Sequence, residues 1–306
     1  MTIAFISHPD CLLHTMGPGH PECPQRLTAI AERLVESGGD AHLCHYEAPL
    51  VSKDELYRTH DQAYVDEIFQ SAPTGDGLAY LDPDTAMNAH TLNAALRAAG
   101  AVVYAVDLVM EGRHSAAFCN VRPPGHHAEH NLAMGFCFFN NVAVGVRHAL
   151  DRWKLQRVAI VDFDVHHGNG TEDIFRDEPR VLLGSTFQYP FYPYRGADTV
   201  SDRIINMPLP AGAGGKAFRS VVEARLLPAL DAFRPQLIFF SAGFDAHRDD
   251  PLAGLNLVES DYAWITEKVK AVADKYAQGR MVSTLEGGYD LDALGRSVEA
   301  HIRALV

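Results

Sequence analysis

The chain has 306 residues, of which 47% are hydrophobic and 21% are charged, and its formal net charge is −13. This composition suffices for a large buried core and excludes a disordered chain, while the acidic charge argues against a basic nucleic-acid-binding surface. An acidic surface would attract cationic substrates such as lysine-rich peptides or polyamines, although solubility alone accounts for the charge equally well.

Predicted strands and helices alternate along the sequence. Alternation of this kind predicts an α/β fold with a mainly parallel sheet that is flanked by helices on both faces. No linker, repeat or low-complexity tract interrupts the chain, so we predict a single domain over 1–306. Apolar runs predict strands over 1–7, 116–119, 157–161, 237–240 and 281–285, and helical spacing predicts helices over 24–37, 88–110, 140–151, 216–233, 261–276 and 291–305.

Several other classes of protein are disfavoured by the sequence. The five cysteines form no Cys-x-x-Cys pair, and their odd number argues against a disulfide framework. The first residues lack the basic start of a signal peptide, and we find no apolar stretch of 18 residues. We therefore expect a cytoplasmic protein that does not cross a membrane, with homo-oligomer formation left open.

The segment after the strand over 157–161 predicts a metal site. Residues on a strand alternate between its faces, so Asp162, Asp164 and His166 are expected to point the same way. Asp245 follows the strand over 237–240 and offers a third carboxylate. Charged groups beside such apolar strands are rarely buried without a partner or a metal, although a turn with solvated aspartates is the alternative.

Two further strand ends carry polar groups. A rigid Pro-Pro-Gly turn precedes His126 and His127, and a Gly287-Gly288 pair precedes Tyr289. Open α/β sheets build their functional sites at the carboxyl ends of their strands, so these groups are expected to face the metal site.

These motifs resemble those of the zinc-dependent histone deacetylase superfamily, which includes the acetylpolyamine amidohydrolases. The resemblance runs from the Gly-Pro-Gly-His-Pro-Glu segment at 17–22, through 135–141, to the Glu-Gly-Gly-Tyr segment at 286–289. It is strongest for the class II branch, because class I enzymes carry Asp where this chain has Asn169. The resemblance implies the arginase-deacetylase fold.

By this resemblance, Asp164, His166 and Asp245 bind one Zn²⁺, which lowers the pKa of water and polarises the substrate carbonyl. Arginases share the fold and use two manganese ions, but the extra aspartate and histidine ligands are missing near 162–166. The resemblance also implies a structural potassium ion, held by Asp162, Asp164, His166, Ser185 and Thr186, partly through backbone carbonyls.

The resemblance assigns the catalytic roles as well. His127 is expected to act as the general base, with His126 as its neighbour. Asp162 would pair with His126, and Asn169 with His127. Tyr289 would donate a hydrogen bond from its hydroxyl to the oxyanion. Gly287 and Gly288 would allow the loop that carries Tyr289 to move its phenol into the site.

The substrate channel is less completely specified by the sequence. Gly135 and Phe136 match one wall of the family's channel, and Tyr192 the facing aromatic residue, although Phe191 is an alternative for that place. Leu252 stands where polyamine-selective relatives carry glutamate, which favours an acyl-lysine substrate over an acetylpolyamine. Asp76 is a candidate for supplying the missing charge from another loop.

Three functions follow, in order of preference. The first is a zinc-dependent amidohydrolase that removes acetyl or other acyl groups from ε-N-acyl-lysine, and the second is an acetylpolyamine amidohydrolase. The third is an inactive binding protein for acylated ligands, which the presence of every expected catalytic residue disfavours.

Overall fold

The computed structural model describes residues 2–306. Within that range it contains ten strands and ten α-helices, which we number in chain order. The strands are β1 (Ile3–Ser7), β2 (Leu43–Glu47), β3 (Ala79–Asp82), β4 (Thr85–Met87), β5 (Ala116–Cys119), β6 (Val158–Asp162), β7 (Val181–Gln188), β8 (Ile204–Leu209), β9 (Leu237–Ala242) and β10 (Met281–Leu285). The helices are α1 (Gln25–Glu36), α2 (Lys53–Tyr57), α3 (Gln62–Ser71), α4 (Thr91–Met110), α5 (Asn141–Arg152), α6 (Asn169–Phe175), α7 (Gly215–Val221), α8 (Leu227–Phe233), α9 (Glu259–Tyr276) and α10 (Leu291–Leu305).

Eight of the strands form one parallel sheet in the order β2-β1-β5-β10-β9-β6-β7-β8. β3 and β4 form a separate antiparallel hairpin. The central strands are buried on both sides because helices cover the sheet, with α1, α9 and α10 packed together as one group and α4 with α5 as another. The α/β class and the mainly parallel sheet predicted from the sequence are confirmed.

The predicted elements agree with the structure most closely where the hydrophobic pattern is strongest. β5, β10 and α10 have the predicted bounds, and α1 begins directly after Pro24. The helix predicted over 216–233 is interrupted by a turn of π-helix at Val222–Leu226, which separates α7 from α8. β2, β7, β8 and the β3–β4 hairpin were not predicted.

α4 corrects one statement from the sequence. Over Thr91–Met110 this helix is long and apolar enough to cross a membrane by length and composition, so the chain does contain one such apolar stretch. Its apolar residues have a role inside the protein, because most of the helix is buried there. Alanines and valines of α4 contribute to the main core, as expected of a helix packed against a sheet.

Candidate active site

The candidate site lies where four consecutive strands of the sheet, β5, β10, β9 and β6, reach their carboxyl ends. The segments that follow these strands carry the histidine pair, Tyr289, Asp245 and the Asp162–His166 stretch. Parallel strands bring their carboxyl ends to one edge of a sheet, which is why residues so distant in sequence meet here.

Asp164, His166 and Asp245 form the candidate metal centre. One ligand atom from each lies within 4.8 Å of the others, and His166 Nδ1 is 3.1 Å from an oxygen of each aspartate. Burial opposes a charge on His166, but the two aspartates outweigh it and raise its pKa to about 10. The position between these carboxylates therefore favours a cation, and the nitrogen and oxygen donors fit Zn²⁺ with one coordination position left open.

The route by which these ligands converge differs from the sequence prediction. β6 ends at Asp162, so Asp164 and His166 lie in the bend that follows and strand alternation does not align the three side chains. Asp162 instead accepts the backbone N–H of Asp164 at 3.1 Å and turns its other oxygen toward His126. The bend, rather than the strand, positions the ligand side chains.

The histidine pair has one carboxylate partner and one amide partner. His126 Nδ1 lies 3.0 Å from Asp162 Oδ2, and His127 Nδ1 lies 2.7 Å from Asn169 Oδ1. Burial works against charge on His126, yet Asp164 and Asp162 prevail and raise its pKa to about 10. Burial and the neighbouring His126 hold the pKa of His127 well below its usual range. His127 is therefore the histidine that is neutral and able to accept a proton.

Glu286 holds the loop that carries the pair. Its Oε2 accepts the backbone N–H groups of Gly125 and His126 at 2.6 and 3.1 Å, and its Oε1 accepts the Ser241 hydroxyl at 3.0 Å. The carboxylate thus links the ends of β10 and β9 to the loop after β5, and it holds the backbone of His126 in place.

Tyr289 is held from two sides. Its backbone N–H donates to Asp250 Oδ2 at 2.7 Å, and the Arg26 guanidinium lies over its ring, 5.0 Å from the centroid. Arg26 also donates to the carbonyls of Glu286 and Gly288. These contacts hold the loop in the observed position, and its expected swing stays a prediction.

Gly287 is required by close packing. A Cβ there would lie 2.0 Å from Asp245 Oδ2 and 2.6 Å from Asp164 Oδ2. Its backbone N–H donates to Asp164 Oδ2 at 2.8 Å. The glycine thus lets the backbone approach the metal carboxylates, whereas the sequence suggested a role in mobility.

A cavity of about 190 Å³ opens above these groups. Phe136 and Tyr192 both line it, while Phe191 stacks on the His166 ring with centroids 5.5 Å apart. The structure therefore favours Tyr192 over Phe191 as the aromatic wall. The lining residues are Asp84, His127, Gly135, Phe136, His166, Tyr192, Leu252 and Tyr289.

Asp76 is placed elsewhere, which corrects the prediction that it serves the channel. It lines a separate depression with Gly17 and Pro18, because its loop turns toward the segment after β1. The acidic residue at the cavity is Asp84, in the tight turn of the β3–β4 hairpin, with its backbone N–H donating to Asp82 Oδ1 at 2.9 Å.

The predicted potassium ligands come from the carboxyl ends of the neighbouring strands β6 and β7 and from the bend after β6. Ser185 on β7 is the register partner of Asp162 on β6, and Thr186 follows it. The Ser185 hydroxyl is buried and has no hydrogen-bond partner within residues 2–306. An unpartnered buried hydroxyl on the strand that neighbours Asp162 fits a structural cation, so the residues present are compatible with potassium.

Among the residues of the site that sequence reasoning missed are Asp84 and Arg26. The Asp-Pro-Asp turn at 82–84 carries no signal beyond that of an ordinary turn. Arg26 had a usable signal, because it precedes Ile30 by one helical repeat and therefore lies on the apolar face of α1. A fully buried arginine on such a face needs carbonyl or carboxylate partners, and the loop before Tyr289 supplies them.

Comparisons with known proteins agree with this geometry. A family model described as the histone deacetylase domain matches residues 20–305. The chain is 36% identical to a histone deacetylase-like amidohydrolase of Pseudomonas aeruginosa, over 94% of this chain and 81% of that protein. It is 35% identical to the polyamine deacetylase HDAC10 of Mus musculus, over 100% of this chain but 48% of that protein. The crystal structure of the HDA15 HD domain superimposes with a TM-score of 0.93 and 33% identity, over 99% of this chain and 88% of that one.

Proposed function

Because the chain belongs to the histone deacetylase family, we propose that it hydrolyses the amide bond of an ε-N-acyl-lysine side chain with Zn²⁺ at Asp164, His166 and Asp245. The observation that carries the proposal is the convergence of these three residues with His127 and Tyr289 at one cavity. When bound there, Zn²⁺ lowers the pKa of water and polarises a carbonyl.

His127 supplies the proton transfers. Asn169 Oδ1 can only accept a hydrogen bond, so the 2.7 Å contact places the proton of neutral His127 on Nδ1 and leaves Nε2 as the acceptor. His127 takes a proton from water as the water oxygen attacks the acyl carbon. It returns that proton to the amine nitrogen as the C–N bond breaks, which yields a carboxylate and a free amine.

Tyr289 supplies the hydrogen bond to the carbonyl oxygen. Burial and the Asp245 carboxylate hold its pKa well above the usual value, so the phenol keeps its proton at neutral pH. A hydroxyl donor that is already positioned stabilises the oxyanion as its charge develops. Phe136 and Tyr192 offer apolar walls for the alkyl chain that carries the amide.

An acetylpolyamine is the second candidate substrate, and Asp84 is the observation that favours it. Leu252 offers the cavity no charge, but the Asp84 carboxylate lines it. A carboxylate at this position would attract the internal ammonium of a polyamine, and it would equally accept a backbone N–H of a peptide. We rank acyl-lysine first because Leu252 provides apolar surface where a second acid would be needed.

A substrate comparison on zinc-loaded protein tests the function. We expect acetate release from an acetyl-lysine peptide to exceed that from acetylspermidine and acetylputrescine. The reverse order would establish the second candidate, and binding of all three without turnover would leave an inactive binding protein.

Metal analysis tests the zinc assignment separately. Purified protein is expected to hold about one equivalent of zinc, the usual load of such a site. Asp164→Ala and Asp245→Ala should each abolish both zinc uptake and activity. Two metals bridged by these residues would point to arginase-type chemistry and contradict the assignment.

A further inference from the structure

Glu129 is separated from the proton-accepting histidine by a single side chain. Its Oε1 accepts the side-chain N–H of Asn169 at 2.8 Å, and the same Asn169 amide faces His127 Nδ1 through its oxygen. Glu129 follows the histidine pair by two residues, whereas Asn169 begins α6. The contact therefore joins two segments that are 40 residues apart in sequence.

The surroundings of the Asn169 amide allow only one orientation. Its Nδ2 lies near two oxygens that only accept hydrogen bonds, the Glu129 carboxylate at 2.8 Å and the His127 carbonyl at 3.3 Å. If the amide were turned over, its oxygen would face both acceptors and its NH₂ group would face His127 Nδ1. That reversed amide would require an unprotonated Nδ1, so the proton of the neutral ring would move to Nε2.

Glu129 is itself held firmly. Its backbone N–H donates to the Leu132 carbonyl at 2.9 Å, and its carbonyl lies 2.9 Å from Nδ1 of the buried His60. Its carboxylate also accepts Arg195 Nη1 at 2.7 Å, from the loop that carries Tyr192. With its backbone fixed on both sides, Glu129 presents the carboxylate to Asn169 without rearrangement.

We propose that Glu129 is a positioning residue that fixes the orientation of the Asn169 amide and thereby keeps His127 Nε2 free to accept the proton. The inference rests on the function proposed above, because it concerns the same general base. Glu129 does not line the substrate cavity. Its loss is therefore expected to lower kcat and leave KM nearly unchanged.

Exchanging the donor and the acceptor of the hydrogen bond between Asn169 and Glu129 tests this role. Glu129→Ala should lower kcat by roughly 10- to 100-fold, a part of what a well-positioned base contributes. Asn169→Asp keeps an acceptor for His127 Nδ1 but sets a second carboxylate against Glu129, so it should lower kcat by a similar factor. The double variant Glu129→Gln with Asn169→Asp restores a donor and an acceptor with their positions exchanged. It should recover at least about tenfold of the Asn169→Asp loss.

A spectroscopic readout and a matched control separate positioning from general stability. In zinc-loaded enzyme, ring ¹⁵N shifts of His127 should report protonated Nδ1 in the wild type and a mixture of tautomers in Glu129→Ala. Glu178→Gln is the matched control, because the Glu178 side chain has the same 12% exposure and also pairs with arginine, but lies away from the histidine pair. It should keep normal kcat.

The outcomes distinguish this inference from the function on which it rests. Recovery in the double variant, with unchanged zinc content, supports the positioning role. Losses that simply add in the double variant, or an unchanged His127 tautomer in Glu129→Ala, overturn it while the deacylase function stands. A zinc-loaded wild type that releases no acyl group from any substrate overturns both.

Discussion

Gly135→Ala should displace His127, the proposed general base, without contacting its hydrogen-bond partner Asn169. Gly135 has a φ of +57°, and a Cβ there would lie 2.4 Å from Cδ2 and 2.8 Å from Cγ of His127. Ordinary contacts of a Cβ begin at 3.4 Å, so the imidazole would have to move by about 1 Å. A displacement of that size at a reacting group costs up to about 10²-fold in rate.

The backbone conformation adds a separate cost to this substitution. An alanine in the left-handed region loses roughly 1–2 kcal/mol relative to glycine. Gly112→Ala isolates that cost, because Gly112 has a φ of +73° with nothing within 4 Å of the added Cβ. Both variants should therefore carry this backbone cost, Gly135→Ala should lose further stability through its contact with the His127 ring, and only Gly135→Ala should lose activity.

Steady-state kinetics on an acetyl-lysine peptide, together with thermal unfolding and zinc content, make the comparison. We expect kcat of Gly135→Ala to fall by about 10- to 100-fold at full zinc occupancy. If its kcat stays within about twofold of that of Gly112→Ala, then His127 tolerates displacement and its assignment as the general base is refuted.

Three further predictions concern the oxyanion, the channel mouth and the response to acid. Tyr289→Phe should lower kcat by roughly 10²–10³-fold with unchanged zinc content, the loss typical of one oxyanion donor; near-normal kcat would show that another group holds the oxyanion. Leu252→Glu should shift relative kcat/KM toward acetylpolyamines by roughly five- to 100-fold, measured against an acetyl-lysine peptide, and a shift the other way would contradict the charge argument. Burial alone would raise the pKa of Glu172, but hydrogen bonds from His167 and Thr199 outweigh it and lower this pKa to about 2 from the usual 4.5. Because the folded-state pKa is depressed, the stabilisation is present above about pH 4.5 and is lost as the pH falls toward 2. Urea unfolding should thus find Glu172→Gln less stable by up to about 3 kcal/mol at pH 7, with the difference shrinking in acid, and a difference that is independent of pH would exclude this linkage.

The class of fold and several elements could be predicted from the sequence because their signals are local. The segments 158–161 and 237–240 are short, wholly apolar runs that suit buried parallel strands, and Leu291–Leu305 repeats apolar residues at helical spacing. Strands with weaker patterns escaped prediction. Leu43–Glu47 alternates polar residues at a half-exposed edge, and Val181–Gln188 has glycine, serine and threonine in its middle.

The sequence by itself also determined which residue types were available for the chemistry, because the motifs at the strand ends contain acids, histidines and a tyrosine in recognisable order. It did not determine their geometry. Asp162 pairs with His126, whereas the bend after β6 brings Asp164 and His166 to Asp245, and a hairpin brings Asp84, in place of Asp76, to the cavity.

Only the tertiary structure decided which distant groups complete the site. The order of the strands in the sheet sets β6 beside β9, which joins Asp245 to the ligands on the neighbouring loop. The packing of α1 brings Arg26 to the Gly288 carbonyl, and the start of α6 brings Asn169 to Glu129. Each contact joins residues that are tens to hundreds of positions apart in sequence, and it depends on how the helices pack against the sheet. No local pattern of residues therefore encodes it.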